Sequence, residues 1–256
     1  MAQNNIKDTT HLLVYGHEGW LEEYPSHYHL GDPIMVKMQW GHNLAVDGLP
    51  NKDYLKHHIY APDGTCAEAS AEPSGDLWYD ITADTNQEGF HMLVTSYDEC
   101  WAQYPNEDYK LGTREQYPDA IEVRDYCQYA TTCVSVGHHH DTEVTPIKGL
   151  EMYLLPVSNP NYVVGHELKL QLMLQDKPAD THKGTLIYQS ENGLVETEIT
   201  SDANGVFTVK PDKVGTYCLI VRHVTNDKKD GIYEGRNFTI THCFKVGEHG
   251  HHPVSY

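Results

Sequence analysis

Apolar and polar residues alternate along several short stretches of the chain. From residue 34 to residue 40, every second residue is a large apolar one, and Met35, Lys37 and Gln39 lie between them. The same period of two recurs from 167 to 174, where four leucines alternate with Lys, Gln and Met. Successive side chains of a β-strand point to opposite faces of a sheet, so this pattern predicts strands with one buried face. His42 continues the face of Trp40, just past Gly41.

Further short apolar runs, separated by turn residues, extend this prediction. We predict additional strands at 11–15, 54–60, 77–81, 90–97, 131–136, 185–189, 194–200, 206–210, 216–224 and 236–246. Asn192-Gly193 lies between two of these runs and is a strong signal for a tight hairpin. Antiparallel strands of this size and spacing are typical of immunoglobulin-like sandwiches. The predicted fold class is therefore all-β, with two immunoglobulin-like β-sandwich domains.

The segment from 98 to 130 departs from this alternation. Pro118 suits the first turn of a helix, and Ile121, Arg124–Asp125 and Tyr126 follow at helical spacing. We therefore predict an irregular, partly helical connecting segment. Three consecutive histidines and a Pro- and Asn-rich stretch come after it. They place a domain boundary between an N-terminal sandwich at 1–137, which includes the extended 98–130 segment, and a C-terminal sandwich at 138–256 with a histidine-rich tail.

Strand parity predicts where two histidines and two cysteines point. In the last predicted strand, His242 shares a face with Phe238, Ile240, Phe244 and Val246; in the strand before it, His223 shares a face with Leu219 and Val221. Both histidines should lie on the core side and close to each other. Cys218 and Cys243 should lie on the opposite face, where neighbouring strands would allow a disulfide on the outer surface.

The six cysteines form no C-x-x-C pair, which argues against zinc-ribbon and thioredoxin-like sites. An even count fits disulfides in an exported protein, with Cys66–Cys100 and Cys127–Cys133 as the remaining pairs if bonding follows the domains. The chain begins without a basic and apolar leader. An exported protein would have lost its signal peptide, and in a cytosolic protein the thiols would be free.

The net charge of −19 argues against nucleic acid and anionic lipid as partners, because both require clustered Lys and Arg. No run of 18 or more apolar residues is present, so we predict no membrane-spanning segment. The chain is acidic and contains 18 histidines, so a cation is the simplest partner to propose. The alternative is that the acidic surface serves solubility alone.

Imidazole is the commonest protein ligand for divalent transition metals at neutral pH. A His-x-His pair on a strand places both rings on one face, as at 27/29 and 138/140. Each histidine also has a structural alternative: His223 and His242 as hydrogen-bonded core residues, the triple histidine as a solvated loop, and the group at 249–252 as a mobile tail. The candidates are His11, His17, His27, His29, His42, His57, His58, His138, His139, His140, His223, His242, His249, His251 and His252.

Enzymatic motifs are not evident in the sequence. It contains no H-E-x-x-H, no G-x-S-x-G and no Gly-rich phosphate loop. Gly165-His166-Glu167 begins a predicted strand and lacks the second histidine of a zinc protease. We therefore expect a non-enzymatic protein.

Several motifs together resemble a family of bacterial periplasmic proteins associated with nickel and cobalt uptake transporters. They run over most of the chain: an opening His11, the strand and Gly-His at 35–42, G-L-E-M-Y-L-L-P at 149–156, N-P at 159–160, V-G at 164–165, D-K-P at 176–178, S-D-A-N-G-V-F at 201–207, G-T-Y at 215–217, R-H at 222–223 and the closing strand with His242. Parts of the stretch from 149 to 224 also resemble carboxypeptidase-regulatory or collagen-adhesin B-type sandwiches. The six cysteines and the 98–130 segment depart from the family pattern.

The resemblance implies two β-sandwich domains and the binding of a divalent transition metal, nickel or cobalt first, with copper or zinc as alternatives. The metal would be delivered to, or sensed for, a membrane transporter from a periplasmic or extracellular location. Carried over by position, four histidines match the family pattern, and the triple histidine falls in its inter-domain stretch. The expected metal ligands are His11, His42, His138, His139, His140, His223 and His242. The rival hypothesis is a structural or adhesive surface protein of Ig-like modules that self-associates through strand edges.

Overall fold

The computed structural model of the chain describes residues 7–24, 27–138, 143–160, 162–190 and 192–248. Its regular elements are nearly all β-strands, together with three short 3₁₀ helices at Thr10–Tyr15, Lys52–Tyr54 and Pro105–Glu107. The predicted all-β class with sandwich packing is confirmed. Within the described part of the chain, no helix is long and apolar enough to span a bilayer.

The strands fall on both sides of the junction predicted from the sequence. Those before residue 137 are β1 (Glu18–Glu23), β2 (His27–Tyr28), β3 (Ile34–His42), β4 (Ala45–Gly48), β5 (Leu55–Tyr60), β6 (Cys66–Glu68), β7 (Ser70–Pro73), β8 (Trp78–Ala83), β9 (Gly89–Tyr104), β10 (Asp108–Leu111) and β11 (Glu122–Val136). Those after it are β12 (Met152–Pro156), β13 (Leu168–Leu174), β14 (Lys177–Pro178), β15 (Lys183–Ser190), β16 (Gly193–Thr200), β17 (Val206–Val209), β18 (Gly215–Thr225) and β19 (Gly235–Val246).

These strands form three sheets. The largest has ten strands and runs β16-β15-β18-β19-β11-β9-β5-β6, with β10 added beside β9 and β2 beside β11. A five-stranded sheet runs β1-β3-β8-β7 with β4 beside β3, and a four-stranded sheet runs β12-β13-β14 with β17 beside β13. The ten-stranded sheet is the central one, because buried clusters join each of its faces to one of the other two sheets.

The two faces of the central sheet carry different cores. On one face, β9 and β11 contribute Leu93, Tyr97 and Ala130 to a cluster that β3 and β8 complete with Trp40 and Ile81. On the other face, β18, β19 and β11 pack against the four-stranded sheet around large apolar side chains that include Leu154, Leu170, Phe207, Leu219 and Ile240. The architecture therefore has three layers, and the two sandwiches share the central sheet.

β11 joins the two halves of the chain. It pairs antiparallel with β9 from Glu122 to Val136 and parallel with β19 from Arg124 to Thr132. Every residue of β11 from Cys127 to Val136 is buried, because both faces and both edges of the strand are covered. The boundary between 137 and 138 remains a prediction, but the hydrogen bonding of the central sheet runs across it.

The helix predicted near Pro118 is wrong. Residues 114–120 form turns, and β11 begins at Glu122. The early part of β11 buries alternate residues, including Val123 and Asp125, whereas Ile121 is 63% exposed. The period of burial is therefore two, as in a strand. The charged Asp125 is buried because it bonds Arg236 of β19, and the local sequence does not show this distant partner.

The strand predicted at 11–15 is also wrong, because this stretch is a 3₁₀ helix. The Asp8 carboxylate accepts hydrogen bonds from the backbone N–H and the hydroxyl of Thr10 at 2.9 and 2.6 Å and so favours a turn over a strand. Gly16, with φ of +97°, then ends the helix. The chain reverses there and enters β1, a strand that the sequence pattern did not indicate.

All six cysteines are free thiols. The predicted Cys127–Cys133 disulfide is wrong, because both residues lie on β11, about 20 Å apart along an extended strand. The predicted Cys66–Cys100 disulfide is wrong for a similar reason. Cys66 lies opposite Tyr60, which itself pairs with Met92 of β9, and Cys100 is a further eight residues along that strand.

Cys218 and Cys243 are direct partners in the antiparallel pair of β18 and β19, as strand parity predicted. Their predicted location on an outer surface is wrong. Both thiols are buried beneath Trp20 of β1 and Leu44 of the β3–β4 turn. The N-terminal segment covers a face of the sheet that parity alone would leave open to solvent.

Polar side chains of the central sheet hold β1 in this place. The Gln128 amide donates to the carbonyl of His17 at 2.7 Å and accepts from the backbone N–H of Gly19 at 3.2 Å. The Thr241 hydroxyl donates to the carbonyl of Gly19 at 2.7 Å. Both side chains are buried, so these bonds satisfy groups that would otherwise be costly to exclude from water.

We predict that Gln128→Leu destabilises the protein by about 2–3 kcal/mol, because it leaves the backbone groups of His17 and Gly19 without their buried partner. Urea unfolding monitored by circular dichroism measures the change. The matched control is Gln171→Leu, which removes a single bond to the Asn204 carbonyl at the surface and should cost less than about 1 kcal/mol. Equal effects of the two substitutions would contradict this role for Gln128.

Candidate metal site

Two local features of the β3–β4 hairpin shape the first histidine cluster. The register shifts between Trp40 and Gly41, so that Asp47 is the extra residue of a β-bulge. Gly41 is required there, because a Cβ atom would lie 1.9 Å from the Ala45 carbonyl oxygen. Asn43 and Leu44 both have positive φ, as in the tight turns that suit hairpins. Bulges bend and twist a strand, and this one directs Asp47 towards the segment before β1.

His17 lies at the centre of this cluster, just before β1. Its Nε2 is 2.6 Å from Asp47 Oδ2, and its ring centroid is 5.9 Å from that of His42. An ionised carboxylate only accepts, so Nε2 donates to it, and the neutral imidazole then has its lone pair on Nδ1. That Nδ1 atom is buried and has no hydrogen-bond partner among the described residues. We call His17, His42 and Asp47 the hairpin cluster.

His42 occupies a different position from the one parity predicted. Its side chain is 55% exposed, although that of Trp40 on the same predicted face is buried. It lies beyond the bulge, at the end of β3, where the hairpin leaves the core. Its Nδ1 is 3.2 Å from the Gly16 carbonyl oxygen and 4.0 Å from a carboxylate oxygen of Glu18.

Glu18 and Arg222 connect the hairpin cluster to the second half of the chain. The buried Glu18 carboxylate accepts from Arg222 Nη2 at 2.7 Å and from the backbone N–H of Asn43 at 2.5 Å. Arg222 Nη2 also donates to the Gly16 carbonyl at 3.0 Å. Burial raises the pKa of Glu18, and the Arg222 charge opposes this shift more than any other neighbour. A residue of β18 therefore places a positive charge beside the carboxylate that faces His42.

His223 forms a second pair, with His182 rather than with His242. The His182 Nε2 and His223 Nδ1 atoms are 3.1 Å apart, and the ring centroids are 5.0 Å apart. His182 lies just before β15, where continuing the ladder past Gly184–Val221 places it opposite His223. Burial and the neighbouring His182 lower the pKa of His223. The other ring nitrogen of His182 is 3.0 Å from the Asp180 carbonyl oxygen.

The predicted proximity of His223 and His242 is wrong. His242 pairs with Leu219 in the ladder, four residues from His223, or about 13 Å along the strand. The predicted inward direction of His242 is correct, since its side chain is fully buried beside Phe244. Its Nδ1 bonds the Thr131 hydroxyl at 2.9 Å, and burial lowers its pKa to about 3. His242 is a core histidine.

The other expected ligands are dispersed. His11 is exposed on the first 3₁₀ helix, and no ring contact or hydrogen bond joins it to another histidine among the described residues. His138 is exposed, with its ring centroid 6.1 Å from that of His29. His139 and His140 lie outside the described residues, as do the histidines from 249 onwards.

A third cluster joins Asp98, Asp125 and Cys127, whose ligand atoms lie within 4.8 Å of one another. Arg236 already occupies it: its Nε bonds Asp125 Oδ2 at 2.7 Å and its Nη2 lies 3.1 Å from Cys127 Sγ. Burial and the adjacent Asp125 raise the pKa of Asp98 to about 6. A cation that entered would have to displace a guanidinium, so we interpret this cluster as structural.

The sequence analysis missed two histidines of these clusters in different ways, and it did not consider Asp47. His17 was among the fifteen candidates but not among the expected ligands, because nothing local relates it to His42. His182 was not considered at all, because it lies outside a predicted strand. A signal for it did exist: extending the β15–β18 ladder by two residues places His182 opposite His223.

The fold and these clusters define a three-layer, all-β sandwich protein with two pairs of histidines. His17 and His42 lie where the N-terminal segment meets the central sheet, whereas His182 and His223 lie beside each other at β15 and β18, with His223 beside Phe238. The chain belongs to the DUF4198 family, a domain of unknown function, whose family model matches residues 14–225. His17, His42, His182 and His223 lie inside the matched residues; His11 and His242 lie outside them. No curated protein matches the sequence.

Several solved structures are similar over much of the chain. A DUF4785 family protein from Legionella pneumophila is 11% identical at a TM-score of 0.29, and the match covers 78% of this chain and 52% of that one. Alpha-2-macroglobulin of Escherichia coli, activated by porcine elastase, is 14% identical at a TM-score of 0.27, and the match covers 88% of this chain and 20% of that one. The Escherichia coli adhesin FdeC is 12% identical at a TM-score of 0.26, and the match covers 90% of this chain and 64% of that one. This chain therefore spans about half of the first structure and a fifth of the second, and these TM-scores support no functional argument.

We predict that the fully buried His242 makes the protein less stable as the pH falls below about 6.5. The unfolded histidine binds a proton near pH 6.5, whereas the folded one resists protonation down to about pH 3, so protonation favours the unfolded state between these values. The free energy of unfolding should fall by up to about 1.4 kcal/mol for each pH unit from this group. Urea unfolding of wild type and His242→Leu at pH 7.5 and 5.5 measures it. The wild type should lose more stability than the variant, and parallel pH profiles would contradict the prediction.

Proposed function

We propose that this protein binds a divalent transition metal outside the cytoplasm and that the hairpin cluster provides the site. The observation that supports this most directly is the state of His17. Its Nε2 is held by Asp47, and its buried Nδ1 has no partner among the described residues. Metal-ligating histidines usually donate their other ring N–H to a carboxylate, which fixes the ring and raises its basicity. His17 and Asp47 have this arrangement.

His42 is the second ligand in this proposal. Its ring lies beside that of His17, and its exposed side chain has room to rotate towards a shared ion. Two imidazoles suit nickel, cobalt, copper and zinc alike, so the donors do not select among them. The Glu18 carboxylate adds negative charge at 4.0 Å from His42, although Arg222 partly neutralises it.

The His182–His223 pair is the competing location. A separation of 3.1 Å fits an ordinary N–H···N hydrogen bond as well as two ligands of one ion. Each of the facing nitrogens is thereby already partnered by the other. The hairpin cluster instead leaves a buried nitrogen open, and for that reason we favour it.

The role of the metal as cargo, delivered to or sensed for an uptake transporter, rests on the family resemblance of the sequence motifs. His17 and His42 lie where the first segment of the chain meets Arg222 of β18 in the second half. A transporter that altered this contact would alter the site. Nickel or cobalt is the first choice for the cargo on the same resemblance.

The rival hypothesis is a surface protein that associates through strand edges, and β16 offers one such edge. β16 is an edge strand of the central sheet with an exposed face, and Leu194 and Val195 are 37% and 48% exposed. Glu196 and Glu198 lie on the same short strand, and like charges along an edge oppose pairing with a second copy. Metal binding is therefore our first proposal.

We predict near-stoichiometric binding of nickel or cobalt to stripped, untagged protein at pH 7.5, and much weaker binding at pH 5.5, where protons compete for the imidazoles. Isothermal titration calorimetry measures both. His17→Ala and His42→Ala should each lower the affinity at least tenfold, or by about 1.4 kcal/mol. Asp47→Asn should lower it by roughly 10–100-fold, because it loosens the His17 ring without removing a ligand.

The matched control is His166→Ala, which removes an exposed histidine away from both pairs and should leave the affinity unchanged. Binding that persists in His17→Ala and His42→Ala but is lost in His182→Ala or His223→Ala would move the site to the other pair. Weak, multi-equivalent binding that none of these substitutions changes would end the metal-binding proposal.

A further inference from the structure

Cys218 and Cys243 are two cysteines that the fold places directly opposite each other. They are opposite each other in the β18–β19 ladder, and their side chains are hydrogen-bonded. Directly opposed residues of antiparallel strands have Cα atoms about 4.5–5.5 Å apart, and disulfides span about 4.4–6.8 Å. The register of the two strands therefore already provides the spacing that a disulfide needs.

The surroundings of the two thiols are apolar. Trp20, Leu44, Ile187 and Ile220 pack around them, and neither thiol is more than 1% exposed. A disulfide has no hydrogen-bond donor and suits such a site at least as well as two thiols. The neighbouring strands β15 and β11 hold β18 and β19 on both sides, so closing the bond would require little change in the sheet.

We propose that Cys218 and Cys243 are an oxidation site, which closes to a cross-strand disulfide when the chain folds in the presence of a disulfide oxidant. In the balanced step, one cysteine thiolate attacks a small disulfide such as oxidised glutathione and forms a mixed disulfide. The second thiolate then displaces the glutathione, so that two protein thiols and one oxidised glutathione give one protein disulfide and two reduced glutathiones. The proposal is independent of metal binding.

The bond should form during folding rather than afterwards. Burial, together with the adjacent Cys218, raises the pKa of Cys243 well above its usual value, so the reactive thiolate is scarce in the folded protein. The layer of Trp20 and Leu44 also keeps an oxidant away from the thiols. Before β1 packs on the sheet, both thiols are accessible and the strand pair already aligns them.

The other cysteines serve as internal controls. Cys100 and Cys127 lie on the same face of neighbouring strands, but Cys127 pairs with Asp98, two residues from Cys100. This diagonal arrangement exceeds the reach of a disulfide without backbone movement. Cys66 is exposed and able to link two molecules, so the experiment uses a Cys66→Ser background.

The test is to unfold the reduced Cys66→Ser protein, refold it in a mixture of oxidised and reduced glutathione, alkylate the remaining thiols and map the peptides by mass spectrometry. We expect a peptide pair linked through Cys218 and Cys243, with the loss of two hydrogens, and alkylated Cys100, Cys127 and Cys133. Alkylation of both Cys218 and Cys243 in natively refolded protein, or bonding of either to a different cysteine, would overturn the proposal. Expression of the same protein with a signal peptide into a bacterial periplasm, followed by the same mapping, requires no refolding and is decided by the same two outcomes.

A stability measurement provides a second readout. Closing a loop of this length should raise the Tm of the oxidised form by about 5–10 °C over the reduced form. In the Cys66→Ser background this shift should be present, and further substitution of Cys218→Ala should abolish it. An equal redox-dependent shift in the Cys218→Ala protein would contradict the assignment.

Discussion

The structure depends on the burial of β11 on both of its faces and along both of its edges. A strand in that position can hardly leave a polar group without a partner, and several of its polar side chains bond neighbouring segments. Thr131 and Thr132 donate to the carbonyls of Thr241 and Cys243 in β19, and Gln128 bonds the backbone before β1. These bonds are specific to one register, so the polar residues of β11 fix how the layers align while the apolar ones drive their packing.

The candidate metal site follows from this alignment. His17 lies beside the hairpin because Gln128 holds its carbonyl and Thr241 holds that of Gly19. Arg222 reaches Glu18 from β18, more than 200 residues away along the chain. A change that separates the first segment from the central sheet would therefore disperse the histidines even if every strand remained folded. Stability and binding are coupled at this contact.

Alternation in the sequence was sufficient for most strands and for the direction of their side chains. It placed His242 in the core and Cys218 opposite Cys243, since both inferences need only the period of a strand and the pairing of two neighbours. It failed for β1, where the carboxylates of Glu18 and Glu23 hide a buried strand. Both have partners distant in sequence: Arg222 bonds the Glu18 carboxylate, and the charge of Lys245 opposes the rise that burial causes in the pKa of Glu23. The local alternation of apolar and polar residues does not indicate pairs that are so far apart in the sequence.

The candidate site also could not be predicted from the sequence alone, because the fold decides which histidines lie together. The sequence grouped as expected ligands histidines that the fold separates into a core residue, surface residues and members of two different pairs. The state of the donor atoms separates the clusters further. At Asp98, Asp125 and Cys127 the donors converge, but Arg236 already binds two of them. At His17 a carboxylate fixes one nitrogen and leaves the other open. Because a metal needs available lone pairs as well as converging ligands, the hairpin cluster is the better candidate for the proposed site.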